Sequence, residues 1–108
     1  MGKASAAIRA FIESIPDEKL TGFADPDPSY TIYSNTDFRL DLQNKTSTKP
    51  PNYNLQVQVN RQSTISTLKR MKKKTGNTGT TVAKALVPTD GSWNAAAVRA
   101  ALLAGRMI

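Results

Sequence analysis

A chain of 108 residues suits a single domain, and the sequence contains no Cys and no His, so disulfides, thiolate metal sites and the usual imidazole base are excluded. The net charge of +7 is unevenly spread: residues 42 to 89 hold nine Lys or Arg and no acid, whereas residues 1 to 41 hold seven acids against four bases. Such a block is the electrostatic footprint of a polyanion partner, with nucleic acid and an anionic membrane surface as the two candidates.

In chain order, Ile8, Phe11, Ile12 and Ile15 fall at the i, i+3, i+4, i+7 spacing of an amphipathic helix, which Pro16 ends; the expected bounds are 1–16. A helix of about three turns needs something to pack on. Residues 17–29 contain "DPDP", and each residue before a proline is driven out of the helical region, so an extended arm is expected. Swapping of the N-terminal helix onto a neighbouring subunit, carried by "FADPDPS" as a semi-rigid arm, is one expectation.

The period then becomes two. Tyr30 to Tyr33 suits a short strand; Phe38, Leu40 and Leu42 alternate with Asp37, Arg39, Asp41 and Gln43. Tyr53, Leu55, Val57 and Val59 alternate with Asn54, Gln56, Gln58 and Asn60, giving one apolar face and one uncharged polar face. That pattern belongs to an antiparallel sheet covered on one side. Ser63 to Lys74 fits either a strand or a helix, with the strand preferred because "TGNTG" has hairpin chemistry and "TTVAKALV" reads as a returning strand. A last helix is expected over 92–104, capped by Ser92 or Asp90 and followed by Gly105. The fold class is therefore α+β: an antiparallel sheet of three to five strands between an N-terminal and a C-terminal helix, in one domain spanning 1–108, with the sheet over 30–88.

No apolar run approaches the roughly 18 residues of a membrane span, and "MGKASA" has Ala6 where a myristoylation signal needs Ser or Thr. The expectation is a soluble, unexported chain, in which the sequon Asn44-Lys45-Thr46 is read as chance.

Two stretches carry the rest of the argument. "FRLDLQNKTSTKPPNYNLQVQVNR" (38–61) resembles the central strand pair of coat proteins of single-stranded RNA bacteriophages, the leviviruses, and "DGSWNAAAVRAALLAG" (90–105) is similar to their C-terminal helix. The resemblance implies a homodimer that completes the sheet, assembly into an icosahedral capsid, single-stranded RNA held on the inner sheet face, and a virion assembled in a bacterial cytoplasm. Carried over by parity, the RNA-binding residues are Arg39, Asn54, Gln56, Gln58 and Lys84, with Lys49 in the basic connection between the strands.

Each set has a plainer reading beside it. The basic loop Lys69, Arg70, Lys72, Lys73 and Lys74 is either a solubilising surface or a phosphate-contacting rim. The rim is favoured because five bases in six residues repel one another, and it would bind through counterion release. The amide ladder is either a wet sheet face or a hydrogen-bonding floor for RNA. Tyr33 is the only aromatic side chain expected to be exposed for stacking. Ile8, Phe11, Ile12, Ile15, Trp93, Val98 and Leu102 are either core or subunit interface. Neither Asp25/Asp27 nor Asp37/Asp41 makes a credible catalytic pair, and no phosphate-binding loop of the GxxxxGK[ST] type occurs. The expectation is a non-enzyme with no cofactor, metal, membrane partner or small-molecule substrate. Outside the coat reading stand a small basic nucleic-acid-binding regulator and a ribosome-associated structural protein.

Overall fold

The computed structural model of the chain describes residues 3–64 and 81–105. Helix α1 (Lys3–Ser14) leads into a short 3-10 turn (Asp17–Leu20), then strands β1 (Tyr30–Ser34), β2 (Phe38–Lys45), β3 (Asn52–Val59) and β4 (Thr81–Pro88), and helix α2 (Ala95–Ala104). The four strands form an antiparallel meander in the order β1-β2-β3-β4. This is the predicted α+β arrangement of a sheet between two helices, with a strand count inside the predicted range.

The period-two segments form strands because one parity is apolar throughout. Phe38, Leu40, Leu42, Leu55, Val57, Val59 and Val87 turn to the same side and are buried. Ile8, Phe11, Ile12 and Ile15 from α1, and Val98 and Leu102 from α2, join the same core. Phe11 packs against Phe38 and Tyr33, with ring centroids 5.5 and 5.9 Å apart. The subunit-interface expectation is thus corrected for these six helix residues. Each is at most 2% exposed within a single chain, so core packing accounts for them without a partner. Trp93 is half-buried, stacked on Phe23 at 4.9 Å, and its indole N–H donates to the Pro88 carbonyl.

The proline-rich arm also turns back onto its own chain. Phe23 lies between Trp93 and Tyr53, the Tyr30 hydroxyl bridges the Ala24 N–H and carbonyl, and Asp25 pairs with Lys45 at 2.8 Å.

The last helix begins later than its sequence suggests. Asn94, rather than Ser92 or Asp90, is the cap: its side-chain oxygen accepts from the Ala97 N–H at 2.8 Å, while Asp90 accepts from the Ser92 N–H in the turn before it. Gly105 does not adopt the left-handed conformation common after a helix; its φ is −65°. What favours glycine is proximity, since a Cβ there would stand 3.0 Å from the Lys84 carbonyl oxygen on β4, tighter than an ordinary contact. The basic rim Lys69, Arg70, Lys72, Lys73 and Lys74, the "TGNTG" turn and residues 65–74 of the ambiguous segment lie outside the described residues. Ser63 and Thr64, at its start, belong to neither strand nor helix.

Candidate nucleic-acid interface

The register brings five of the six residues expected to meet RNA onto the sheet face opposite the helices. Arg39 pairs with Gln58 across β2 and β3, and Gln56 with Lys84 across β3 and β4, while Asn54 lies two residues before Gln56 on the same side. Lys49 is not brought there; it is exposed in the connection between β2 and β3. Tyr33 is not there either. An irregularity between Thr31 and Tyr33 shifts parity along β1, so Tyr33 pairs with Leu40 and its ring stacks on Phe11 on the covered side. Among the described residues the polar face therefore carries no aromatic platform for bases.

This face is less open than an alternating pattern suggests. Asp41 is 7% exposed and Gln58 3%. Asp41 is the hub of the β2 side: one carboxylate oxygen accepts from the Thr31 hydroxyl at 2.8 Å, the other from Arg39 Nε at 2.9 Å and Gln43 Nε2 at 3.5 Å. Arg39 also donates to Asn60 Oδ1 at 3.2 Å. Its charge is thereby committed to a neighbour, which lowers its reach toward a ligand. Sequence reasoning weighed Asp41 only as half of a carboxylate pair; because Arg39 and Asp41 stand two apart in a strand and so share a face, their pairing was within reach of the sequence, whereas the hub that also engages Thr31 and Gln43 was not.

On the β3 side the amides bond to one another. Gln58 Nε2 donates to Gln56 Oε1 and to Thr81 Oγ1, both at 2.7 Å; Gln56 Nε2 donates to Asn54 Oδ1 at 3.4 Å; Asn54 Nδ2 donates to Asn44 Oδ1 at 3.2 Å. Lys84 beside them is exposed. Among the described residues this surface is thus a pre-ordered polar network with one outward cation, Lys84, and one exposed apolar side chain, Leu86, which pairs with Asn54 two residues farther along β4.

Charge is partitioned sharply along the chain. The described residues hold nine Lys or Arg and all eight Asp or Glu, while residues 65–80 hold five Lys or Arg and no acid. The chain leaves β3 at Val59 and re-enters the sheet at Thr81, paired with Gln58, and Thr64 is tied to Asp37 through its N–H at 2.7 Å. Both attachment points of the basic segment therefore lie at the end of the sheet that carries Arg39, Gln58 and Asn60.

No curated protein and no solved structure gives a match to the chain. A family model does: HrmA, described as subtelomeric hrmA-associated cluster protein, matches residues 24–104. That match overturns the resemblance to bacteriophage coat proteins, and with it the expected capsid, packaged genome, virion and assembly in a bacterial cytoplasm. The residues behind the resemblance, a Tyr-led alternating strand and an Ala/Leu-rich helix, are what any one-side-covered sheet with a closely packed helix requires. They specify architecture rather than lineage. Residues 24–104 take in the whole sheet and α2, and the chain belongs to the HrmA family of subtelomeric hrmA-associated cluster proteins.

Proposed function

We propose that this chain is a non-enzymatic binding module for single-stranded RNA, held chiefly through its phosphates. The observation that carries the reading is the charge partition: the described body is almost balanced, and five of the excess cations fall within residues 69–74. Folding gains nothing from packing like charges together, so their concentration is best accounted for by a polyanion. The polar face adjoining that attachment supplies neutral hydrogen-bonding groups, and Lys84 stands on β4 three residues after Thr81. The non-enzymatic part rests on the lack of His and Cys in the sequence and on the engagement of Asp41 by Thr31, Arg39 and Gln43. The test is RNA retention by the triple variant Lys72→Ala, Lys73→Ala, Lys74→Ala. Weaker retention with a flatter salt dependence supports the proposal, and unchanged retention refutes it.

A second copy of the chain is the other proposed partner, for which Leu86 is the supporting observation. Among the described residues it is the one large apolar side chain left exposed, at 50%. It edges an apolar groove of about 90 Å³ with Val87, Pro88, Trp93, Ala97 and Ala101. Sizing the protein beside a Leu86→Lys variant tests this: a dimer that the substitution dissociates supports it, and a wild-type monomer removes it.

A further inference from the structure

The patch around Leu86 holds both halves of a self-complementary contact. Leu86, 50% exposed, is a knob, and the groove it edges is a hole of about 90 Å³, the size of one aliphatic side chain. The hole is preformed. Val98 is buried beneath it, Ala97 and Ala101 keep its helical side low, and Trp93 is fixed as a wall by its stack on Phe23 and its N–H bond to the Pro88 carbonyl. A side chain at the lip of a groove does not fill it. A second copy turned about a two-fold axis offers its own Leu86 to the hole and its own hole to Leu86.

The charges beside the patch set its direction. Lys84 stands two residues before Leu86 on the same face of β4, Asp90 follows in the turn after the strand, and both are exposed. Neither makes an ion pair among the described residues. Asp90 accepts from the Ser92 N–H at 2.9 Å, which leaves its carboxylate further lone pairs for a cation. The patch therefore has a positive end and a negative end. Copies set with their β4 strands antiparallel bring opposite ends together, twice by symmetry, whereas parallel copies bring like charges together. The meeting is made by side chains rather than by extending the sheet. The end of α2 lies against the Lys84 backbone, where a Cβ on Gly105 would stand 3.0 Å from the carbonyl oxygen and 3.7 Å from the nitrogen, and Pro88 has no N–H to give to a ladder.

We propose that two copies of the chain join about a two-fold axis at this patch, with Leu86 of each seated in the groove of the other and Lys84 of each paired with the partner's Asp90. The inference rests on the second-copy reading above and deepens it from a partner to a geometry. The RNA reading, carried by residues 69–74, does not depend on Lys84.

The experiment is sedimentation velocity of the full chain, freed of nucleic acid, over a series of protein concentrations. The unaltered chain should dimerise. Lys84→Asp and Asp90→Lys, each checked by circular dichroism for an unchanged fold, place like charges at both contacts and should each weaken self-association roughly tenfold. Mixed in equal amounts, the two variants present opposite charges to each other at both contacts, and the mixture should dimerise as tightly as the unaltered chain. A folding defect would not be repaired by mixing. If the unaltered chain dimerises while the single variants match it, or while the mixture stays as dissociated as its components, the two-fold geometry is overturned and a second copy remains the partner through another surface. An unaltered chain that is monomeric throughout overturns both.

Discussion

Replacing Arg99 by Met should destabilise the fold by about 2 kcal/mol, and the structure says which of its contacts is responsible. Arg99 Nη1 donates to the Ile12 carbonyl at 2.7 Å, and Nη2 pairs with the Asp17 carboxylate, so this one side chain of α2 ties down the end of α1 and the turn after it. The Asp17 side chain is 81% exposed, and an ion pair so wet contributes about 0–1 kcal/mol. The Ile12 carbonyl is a helix-end acceptor whose other donor, the Ile15 N–H, is long at 3.3 Å. A hydrogen bond from a charged donor to such a group contributes about 1.5–3 kcal/mol, and the residual Ile15 bond places the loss toward the lower end. Met keeps most of the apolar stem, which limits the packing loss. Urea unfolding followed by far-ultraviolet circular dichroism should show the midpoint of Arg99→Met falling by about 1 M, taking a slope near 2 kcal/mol/M. Asp17→Asn should lose less than about 1 kcal/mol. Equal losses for the two variants, or a loss under about 0.5 kcal/mol for Arg99→Met, would refute the assignment to the helix-end carbonyl.

Three further outcomes are expected. Gly105→Ala should cost about 1–3 kcal/mol in the same assay, because its Cβ would press to 3.0 Å on the Lys84 backbone oxygen; a neutral result would mean that α2 is free to lift from β4. Leu40→Ala should cost about 2–5 kcal/mol, since Leu40 is fully buried at the centre of the sheet's covered face; a loss below that range would place Leu40 outside a well-packed core. The hydrogen bond and charge of Lys45 hold the Asp25 carboxyl below its ordinary value, so the tie between arm and sheet is complete above the unfolded carboxylate range and is lost as pH falls through the depressed folded value. Trp93 fluorescence, sensitive to its stack with Phe23, should be flat from pH 7 to about pH 4 and change below it. Asp25→Asn should remove that step, and a step that survives would assign it to another group.

Much of the architecture was legible because it follows from parity and period alone. The stripe from Ile8 to Ile15 and the alternation from Tyr53 to Val59 admit one buried face each, and that face is the one buried. Boundaries were less legible where several residues compete for one role. Asp90, Ser92 and Asn94 are all good caps, and local sequence does not choose among them; in the fold Asn94 takes the role. The candidate site was half legible. Sequence placed Asn54, Gln56 and Gln58 on one face, yet could not reveal that they satisfy one another, since side-chain pairing across strands depends on register. Tyr33 was assigned to the wrong face because one irregular residue in β1 reverses parity without altering the residue pattern. The lone Arg99 in an otherwise apolar helix segment was the available signal for the clamp on α1. The functional expectation drawn from the strand pair and the final helix was mistaken for a different reason: these segments carry folding information that unrelated families share.

The central claim is that the cations concentrated in residues 69–74 serve to hold RNA phosphates. The most direct test is the affinity for a single-stranded RNA measured across a series of salt concentrations, for the unaltered chain and for the triple variant of Lys72, Lys73 and Lys74. If all five cations make phosphate contacts, the slope of log K against log salt should be about −3.5, and the variant should lose about 2 of it. Identical slopes for the two proteins would contradict the account.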